Sequence, residues 1–208
     1  DMARGVAHPG ILWLDGEGRL KEKFFEESYR DRLTAETLLG RMFPELVMSD
    51  APFDSKSGEV QFRTAVAGSD LIMGSETDLL LEIQIPDGSH LYGEGAEGYV
   101  PLELELEPHP WLEFGPVVLP EPKALFLPAI GETAPVYEGR LLLRVPVKVA
   151  SRDVAKLEED QSLEIVGTVK YQVCTESQCF LPTDQSLSWT VRLLPFDRTR
   201  SPEEFRHQ

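Results

Sequence analysis

The sequence predicts a mainly β protein, an antiparallel β-sandwich, from three observations. First, apolar residues alternate with polar ones over most of the chain. This holds for Leu79, Leu81, Ile83 and Ile85, for Leu102, Leu104 and Leu106, and for Leu141, Leu143, Val145, Val147 and Val149. It holds again for Leu163, Ile165, Val169 and Tyr171, and for Leu187, Trp189, Val191 and Leu193. A period of two marks strands with one buried face. Second, turn formers separate these runs: Pro86-Asp87-Gly88, Glu97-Gly98 and Glu138-Gly139. Third, no helical pattern interrupts residues 61–195. Many short strands without intervening helices fit an antiparallel sandwich of immunoglobulin-like size.

The first 47 residues read differently. Ile11–Leu14 and Leu20–Phe25 are strand-like, joined by the turn Asp15-Gly16-Glu17-Gly18. Thr34 is placed to cap a helix whose apolar face carries Leu38, Leu39, Met42 and Phe43, ending near Pro44. Two strands and a helix expose more apolar surface than they can cover, so this β-β-α unit must pack on something else or belong to a larger fold. Residues 48–60 are polar and rich in turn formers and are expected to be a linker; residues 196–208 are expected to be a charged tail.

Composition bounds the function. The chain has 208 residues, 41% hydrophobic and 27% charged, with a net charge of −16. That acidity opposes binding to nucleic acid or anionic lipid, which both need a basic surface. Apolar runs fall short of a membrane helix and no signal-peptide pattern opens the sequence, so a soluble segment is expected. His8, His90, His109 and His207 lack metal-ligand spacing with the cysteines, and no metal or cofactor is expected. Glu103, Glu105 and Glu107 alternate with leucines and read as a solvated strand face. No paired catalytic carboxylates, Ser-His-Asp set or phosphate loop stands out; Gly93-Glu-Gly95 and Glu97-Gly98 read as a flexible loop. Trp13, Trp111 and Trp189 are expected in the core or at its rim.

The two cysteines, Cys174 and Cys179, are the informative residues. A strand ending near Val173 is expected to deliver Cys174 to a turn that returns Cys179 to the next strand. Four intervening residues let the Cα atoms reach disulfide distance. Such a short loop stabilises little by chain entropy, so stapling is a weak motive. Dithiol exchange instead needs one sulfur to be attacked and a neighbour to leave, with access from solvent. Glu176 and Asp184 would raise a thiol pKa, which suits a pair that a partner's thiolate attacks. An inert hairpin disulfide and two reduced buried thiols are the competing readings.

Three segments carry a family resemblance. Ile85-Pro-Asp-Gly-Ser-His90-Leu-Tyr92-Gly, Pro135-Val-Tyr137-Glu-Gly-Arg-Leu141, and Val169-Lys-Tyr171-Gln172-Val-Cys174 followed by Cys179-Phe180-Leu-Pro182 occur in order. Residues from about 60 to 195 thereby resemble the N-terminal domain of the thiol–disulfide interchange protein DsbD. The resemblance implies an immunoglobulin-like fold and a periplasmic or extracytoplasmic setting. It implies a Cys174–Cys179 pair that takes electrons from a thioredoxin-like partner and passes them to a downstream disulfide. It also implies that His90, Tyr92, Tyr171, Gln172, Phe180 and Pro182 shield the pair or meet the partner, and that Leu127–Ala134 forms a cap. His90 stands where the family has a tyrosine, and the cysteine spacer is one residue short.

His8-Pro9-Gly-Ile-Leu-Trp-Leu-Asp15-Gly-Glu-Gly-Arg19 and Phe24-Phe25-Glu-Glu-Ser-Tyr29-Arg-Asp-Arg32 resemble the C-terminal part of a redoxin of the peroxiredoxin (AhpC/TSA) type. That resemblance implies a thioredoxin-like fragment over 1–47 with Pro9 as its cis-proline, and a parent that fuses a redoxin to the sandwich. The leading expectation is thus a thiol–disulfide oxidoreductase module. The alternative is a non-catalytic sandwich with a structural disulfide, attached to a redoxin whose active site lies elsewhere.

Overall fold

Why residues 34–49 cling to the sandwich is answered by its most buried strand. The computed structural model describes residues 10–25, 32–49, 51–53, 55–57, 60–127 and 131–195. Pro9, residues 128–130 of the expected cap and the 196–208 tail lie outside them.

The N-terminal part comprises β1 (Gly10–Leu14), β2 (Leu20–Phe25), β3 (Arg32–Leu33), α1 (Ala35–Met42) and α2 (Pro44–Ser49). Next come β4 (Ser55–Ser57), β5 (Val60–Val66), β6 (Asp70–Leu71), β7 (Ser75–Gln84) and β8 (Ser89–Tyr92). The strands β9 (Glu103–Leu106), β10 (Leu112–Phe114), β11 (Lys123–Leu127) and β12 (Glu132–Tyr137) follow. The remainder is β13 (Arg140–Val149), a 3₁₀ turn, β14 (Gln161–Tyr171), β15 (Val173–Thr175) and β16 (Thr183–Leu193). The fold is mainly β, as the alternation predicts. Among the described residues no helix is long and apolar enough to cross a membrane.

Two sheets enclose the core. One runs β10-β13-β7-β5-β4, with β3 added in parallel to β7; the other runs β6-β16-β14-β9. The inward residues are those of the period-two runs: Leu79, Leu81 and Ile83 of β7, Leu143, Val145 and Val147 of β13, and Ile165, Val169, Trp189 and Val191 opposite. Trp189 locks the two layers together by donating its indole N–H to the Leu80 carbonyl at 2.8 Å. Trp111 packs at the edge of this core. The glutamates Glu103, Glu105 and Glu107 are exposed, as expected of a solvated face.

β7 is buried on both faces, because α1 and α2 cover its outer side. That burial would strand the charges of Asp78 and Glu82, so each is met by arginine. Arg41 of α1 donates to both carboxylate oxygens of Asp78 at 2.5 and 2.9 Å, and also pairs with Glu76. Arg63 of β5 and Arg140 of β13 hold Glu82 at 2.8 and 2.6 Å.

Thr34 caps α1 as predicted, accepting from the Thr37 N–H at 3.1 Å. Of the predicted face, Leu38, Met42 and Phe43 are half-buried, and the centre of the docked face lies beside them. Thr37 and Gly40 are buried, whereas Leu39 is 55% exposed. Small residues win because the helix must approach closely enough for Arg41 to reach β7. A Cβ on Gly40 would lie 2.5 Å from the Ala67 Cβ and 2.9 Å from its Cα. Gly40→Ala should therefore destabilise the protein despite alanine's better helix propensity. Crowding of this kind costs ~1–3 kcal/mol against a propensity gain of ~1 kcal/mol. A urea titration reads the outcome, with an unchanged or raised midpoint counting against the close approach.

The expected linker is partly structured. α2 extends through Ser49 and β4 pairs with β5 at the sheet edge, from Ser55↔Phe62 to Ser57↔Val60. The polar composition of 48–60 hid an edge strand, which can be polar because only one side of it is paired. The β1–β2 hairpin closes through Asp15, whose carboxylate accepts from the Glu17 and Arg19 N–H groups at 2.9 Å. Trp13 touches the rest of the N-terminal unit edge-on at Phe43, with centroids 5.7 Å apart.

Candidate functional site

A third sheet, β11-β12-β8-β15, builds the site at one end of the sandwich. β14 stops at Tyr171 and the chain crosses at once into β15, which pairs with β8: Val173↔Leu91, Cys174↔His90, Thr175↔Ser89. Cys174 is therefore inside a strand and not on the turn expected from the sequence. The turn is the four residues after it: the Thr175 N–H donates to the Gln178 carbonyl at 2.8 Å, and the Phe180 N–H to the Val173 carbonyl at 2.9 Å. These two bonds place Cys179 directly across from Cys174.

The cysteines are joined by a disulfide, with Cα atoms 4.1 Å apart. They are unequal. Cys174 is 1% exposed and packs with Tyr92, Ala134 and Val136, whereas Cys179 lies at the surface. Its Sγ lies 3.8 Å from the Tyr92 hydroxyl. Directly opposed strand residues share a face, as do residues two apart along a strand. His90, Tyr92 and Cys174 consequently project to one side of this sheet, and the first two ring planes meet edge-on at 5.2 Å.

A cleft of about 220 Å³ opens beside Cys179. His90, Tyr92 and Tyr99 form one wall, and Leu125, Phe126 and Leu127 of β11 another. Of the segment expected as a cap, Leu127 lines the cleft, together with Leu125 and Phe126 before it on β11. Glu176 also lines the cleft. Asp184 does not: it is the cross-strand neighbour of Lys170 on β16.

Of the other predicted site residues, Gln172 sits behind the pair. Its amide donates to the Phe180 carbonyl at 3.0 Å and accepts from the Val100 N–H at 3.1 Å. It ties the segment leaving Cys179 to the loop that carries Tyr99. Phe180 is 50% exposed and Pro182 is exposed beyond it, both flanking the pair on the outer surface. Tyr171 is elsewhere. It is 1% exposed and packs on Phe62 with ring centroids 5.5 Å apart, which anchors the end of β14 in the core. Tyr99, missed in the sequence, stacks on Tyr92 at 4.0 Å. The glycine-rich stretch before it reads as an empty loop, and the one signal was an aromatic residue directly after Gly98.

The electrostatics follow from burial. Tyr92 is pushed up to about 12, mainly by desolvation and also by Tyr99, so its hydroxyl stays neutral. His90 is 4% exposed, and desolvation holds it below the usual imidazole value, with Glu138 opposing weakly. It is therefore a neutral imidazole at pH 7. Among the described residues no group of three or more His, Cys, Asp or Glu side chains could hold a metal ion.

Residues 60–190 match the family model "Thiol:disulfide interchange protein DsbD, N-terminal". No curated protein matches the chain. Among solved structures it is similar to the N-terminal periplasmic domain of ScsB from Proteus mirabilis, at 16% identity and a TM-score of 0.42, covering 70% of this chain and 51% of that one. It is also similar to the reduced N-terminal domain of Neisseria meningitidis DsbD, at 18% identity and a TM-score of 0.36, covering 55% of this chain and 81% of that one. The chain thus spans about half the length of the Proteus domain. With its joined Cys174–Cys179 pair at the rim of an open cleft, this chain belongs to the family of DsbD N-terminal domains.

Proposed function

We propose that the pair relays electrons from a thioredoxin-like partner to a downstream disulfide, with Cys179 as the sulfur attacked first. The observation that carries this is the inequality of the two cysteines: Cys179 is exposed and Cys174 is 1% exposed. The sulfur of an incoming thiol, losing its proton, bonds to Cys179, the intramolecular S–S bond breaks, and its electron pair leaves on Cys174. The partner's second thiol then displaces Cys179, so the partner is oxidised and the module becomes a dithiol. Reversal of the same steps on another protein's disulfide delivers the two electrons.

A protein partner suits the surroundings. Phe126, Phe180 and Leu181 are 58%, 50% and 86% exposed around Cys179, an apolar rim that a partner surface would cover. A reversible disulfide pair of this kind operates in an extracytoplasmic compartment, where such bonds persist. Residues 1–47 are read as the end of a redoxin domain. The exposed Ile11, Leu12, Leu14 and Phe25 of the β1–β2 hairpin support that, since a thioredoxin-like sheet would cover them.

The test is the reduction potential of the pair, by thiol trapping across a glutathione series. A value between about −120 and −270 mV is expected, the range of exchange catalysts. A value below about −300 mV would mark a structural disulfide and favour an interaction module instead.

A further inference from the structure

We propose that His90 shuttles the proton of the exchange reaction, taking it from the incoming thiol and handing it to Cys174 as that sulfur leaves. The inference rests on the exchange reading above and adds the group that moves the proton. Three observations carry it. His90 is the direct cross-strand partner of Cys174 in the β8–β15 ladder, so both side chains stand on one face of the sheet. It lines the same cleft as Cys179, where an attacking thiol must enter. It is 4% exposed, yet among the described residues its Nε2 has no hydrogen-bond partner. A buried polar nitrogen left unpaired beside a reactive bond costs stability, so a role in the reaction accounts for its retention.

Burial creates the need for such a group. Cys174 sits among Tyr92, Ala134 and Val136, so a thiolate formed there would be desolvated and costly. Of the groups facing the site, Tyr92 lies on the strand of His90 and stays neutral. Tyr99 and Glu176 border the cleft, and Glu138 follows β12, where Lys123 of β11 pairs with it at 3.7 Å. None of these is the strand partner of Cys174. The neutral imidazole accepts the S–H proton of the incoming thiol as its sulfur bonds to Cys179. The Cys174–Cys179 bond breaks, and the imidazolium protonates the departing Cys174 sulfur. The sum is RSH plus the disulfide giving the mixed disulfide at Cys179 plus the Cys174 thiol, with His90 returned to its starting form.

The test is the rate of reduction of the oxidised 208-residue chain by dithiothreitol between pH 6 and 9.5, followed by acid quench, alkylation and mass. Between pH 6 and 8 the thiolate fraction of a thiol with the reference pKa rises by somewhat under ~10²-fold. With His90 as the base, the rate per total thiol should rise less than about tenfold over that interval. His90→Gln should restore the full dependence on thiolate, running about tenfold or more slower than wild type at pH 6 and within about threefold of it at pH 9.5. His90→Asn provides the same comparison if the glutamine variant does not fold, and the wild-type profile alone is decisive without either. A wild-type rate that simply tracks the thiolate overturns the proposal, as does a variant slowed equally at every pH. A folded wild-type disulfide that resists dithiothreitol throughout, while the urea-unfolded chain is reduced, defeats the exchange reading itself.

Discussion

Replacing Cys174 with serine should produce a protein whose free Cys179 attacks a disulfide offered to it and keeps the resulting mixed disulfide, having no second sulfur to resolve it, whereas Cys179→Ser should form almost none. Attack on a disulfide or a thiol requires that the sulfur be reached, and only one of the two can be. Cys179 is at the surface beside the cleft; Cys174 is enclosed by Tyr92, Ala134 and Val136 in the middle of β15. For the buried thiol to react, β15 must open from β8, and an opening that costs ~3 kcal/mol slows the reaction by about 10²-fold. Incubation of each variant with a chromogenic aromatic disulfide gives the two rates directly. Incubation with a thioredoxin-like partner reduced to one cysteine and activated as its aromatic mixed disulfide gives a covalent complex on a non-reducing gel for Cys174→Ser only, with the aromatic thiol as the leaving group. Electron relay should be lost in both variants, since each removes one of the two sulfurs that carry the electron pair. Equal reactivity of the two single cysteines would remove the structural basis for assigning Cys179 as the point of entry.

That assignment marks the boundary of what the sequence discloses. The period-two runs from Leu79 to Leu193 fall on observed strands because alternation and burial are the same physical fact. The nearness of Cys174 and Cys179 was equally legible, since four intervening residues leave few alternatives. Which of them is buried was not. It depends on β15 changing sheets after Tyr171 to pair with β8, and that crossing is set by contacts about 80 residues away in sequence. His90 and Tyr92 were expected beside the pair only through the family resemblance, because nothing in their own spacing shows that β8 pairs with β15. Helix α1 shows the opposite failure. Its cap at Thr34 was readable because capping is local, but the centre of its docked face was not, because the choice is made by Arg41 reaching Asp78 and by Gly40 meeting Ala67. Nor does Asp78 announce itself. An acidic residue between strand hydrophobics reads as solvent-facing until something covers that face.

Because something does cover it, Arg41→Ala should be among the most destabilising single changes in the molecule. Asp78 is fully buried at its side chain, and Arg41 supplies its two hydrogen bonds; Arg144 approaches one oxygen at 3.5 Å. Removing Arg41 leaves a desolvated carboxylate whose remaining cation, among the described residues, is Arg144 at that longer distance. Breaking a buried pair from one side costs about 3–5 kcal/mol, which for a chain of this size lowers Tm by roughly 10 °C. The loss should be asymmetric in space. Amides of α1 and α2 should exchange faster with solvent while those of β14 and β16 keep their protection, since Arg41 holds the helices to β7 and takes no part in the core behind it. Arg41→Lys should recover little, because a single ammonium cannot supply the forked donation that Asp78 accepts. The double variant Arg41→Met with Asp78→Leu should recover most of the stability, since the penalty is the orphaned charge and not the missing attraction. If the double variant is as unstable as Arg41→Ala, the helix is held by the geometry of the pair itself. The arginine would then be positioning α1 on the sheet, beyond neutralising what α1 buries.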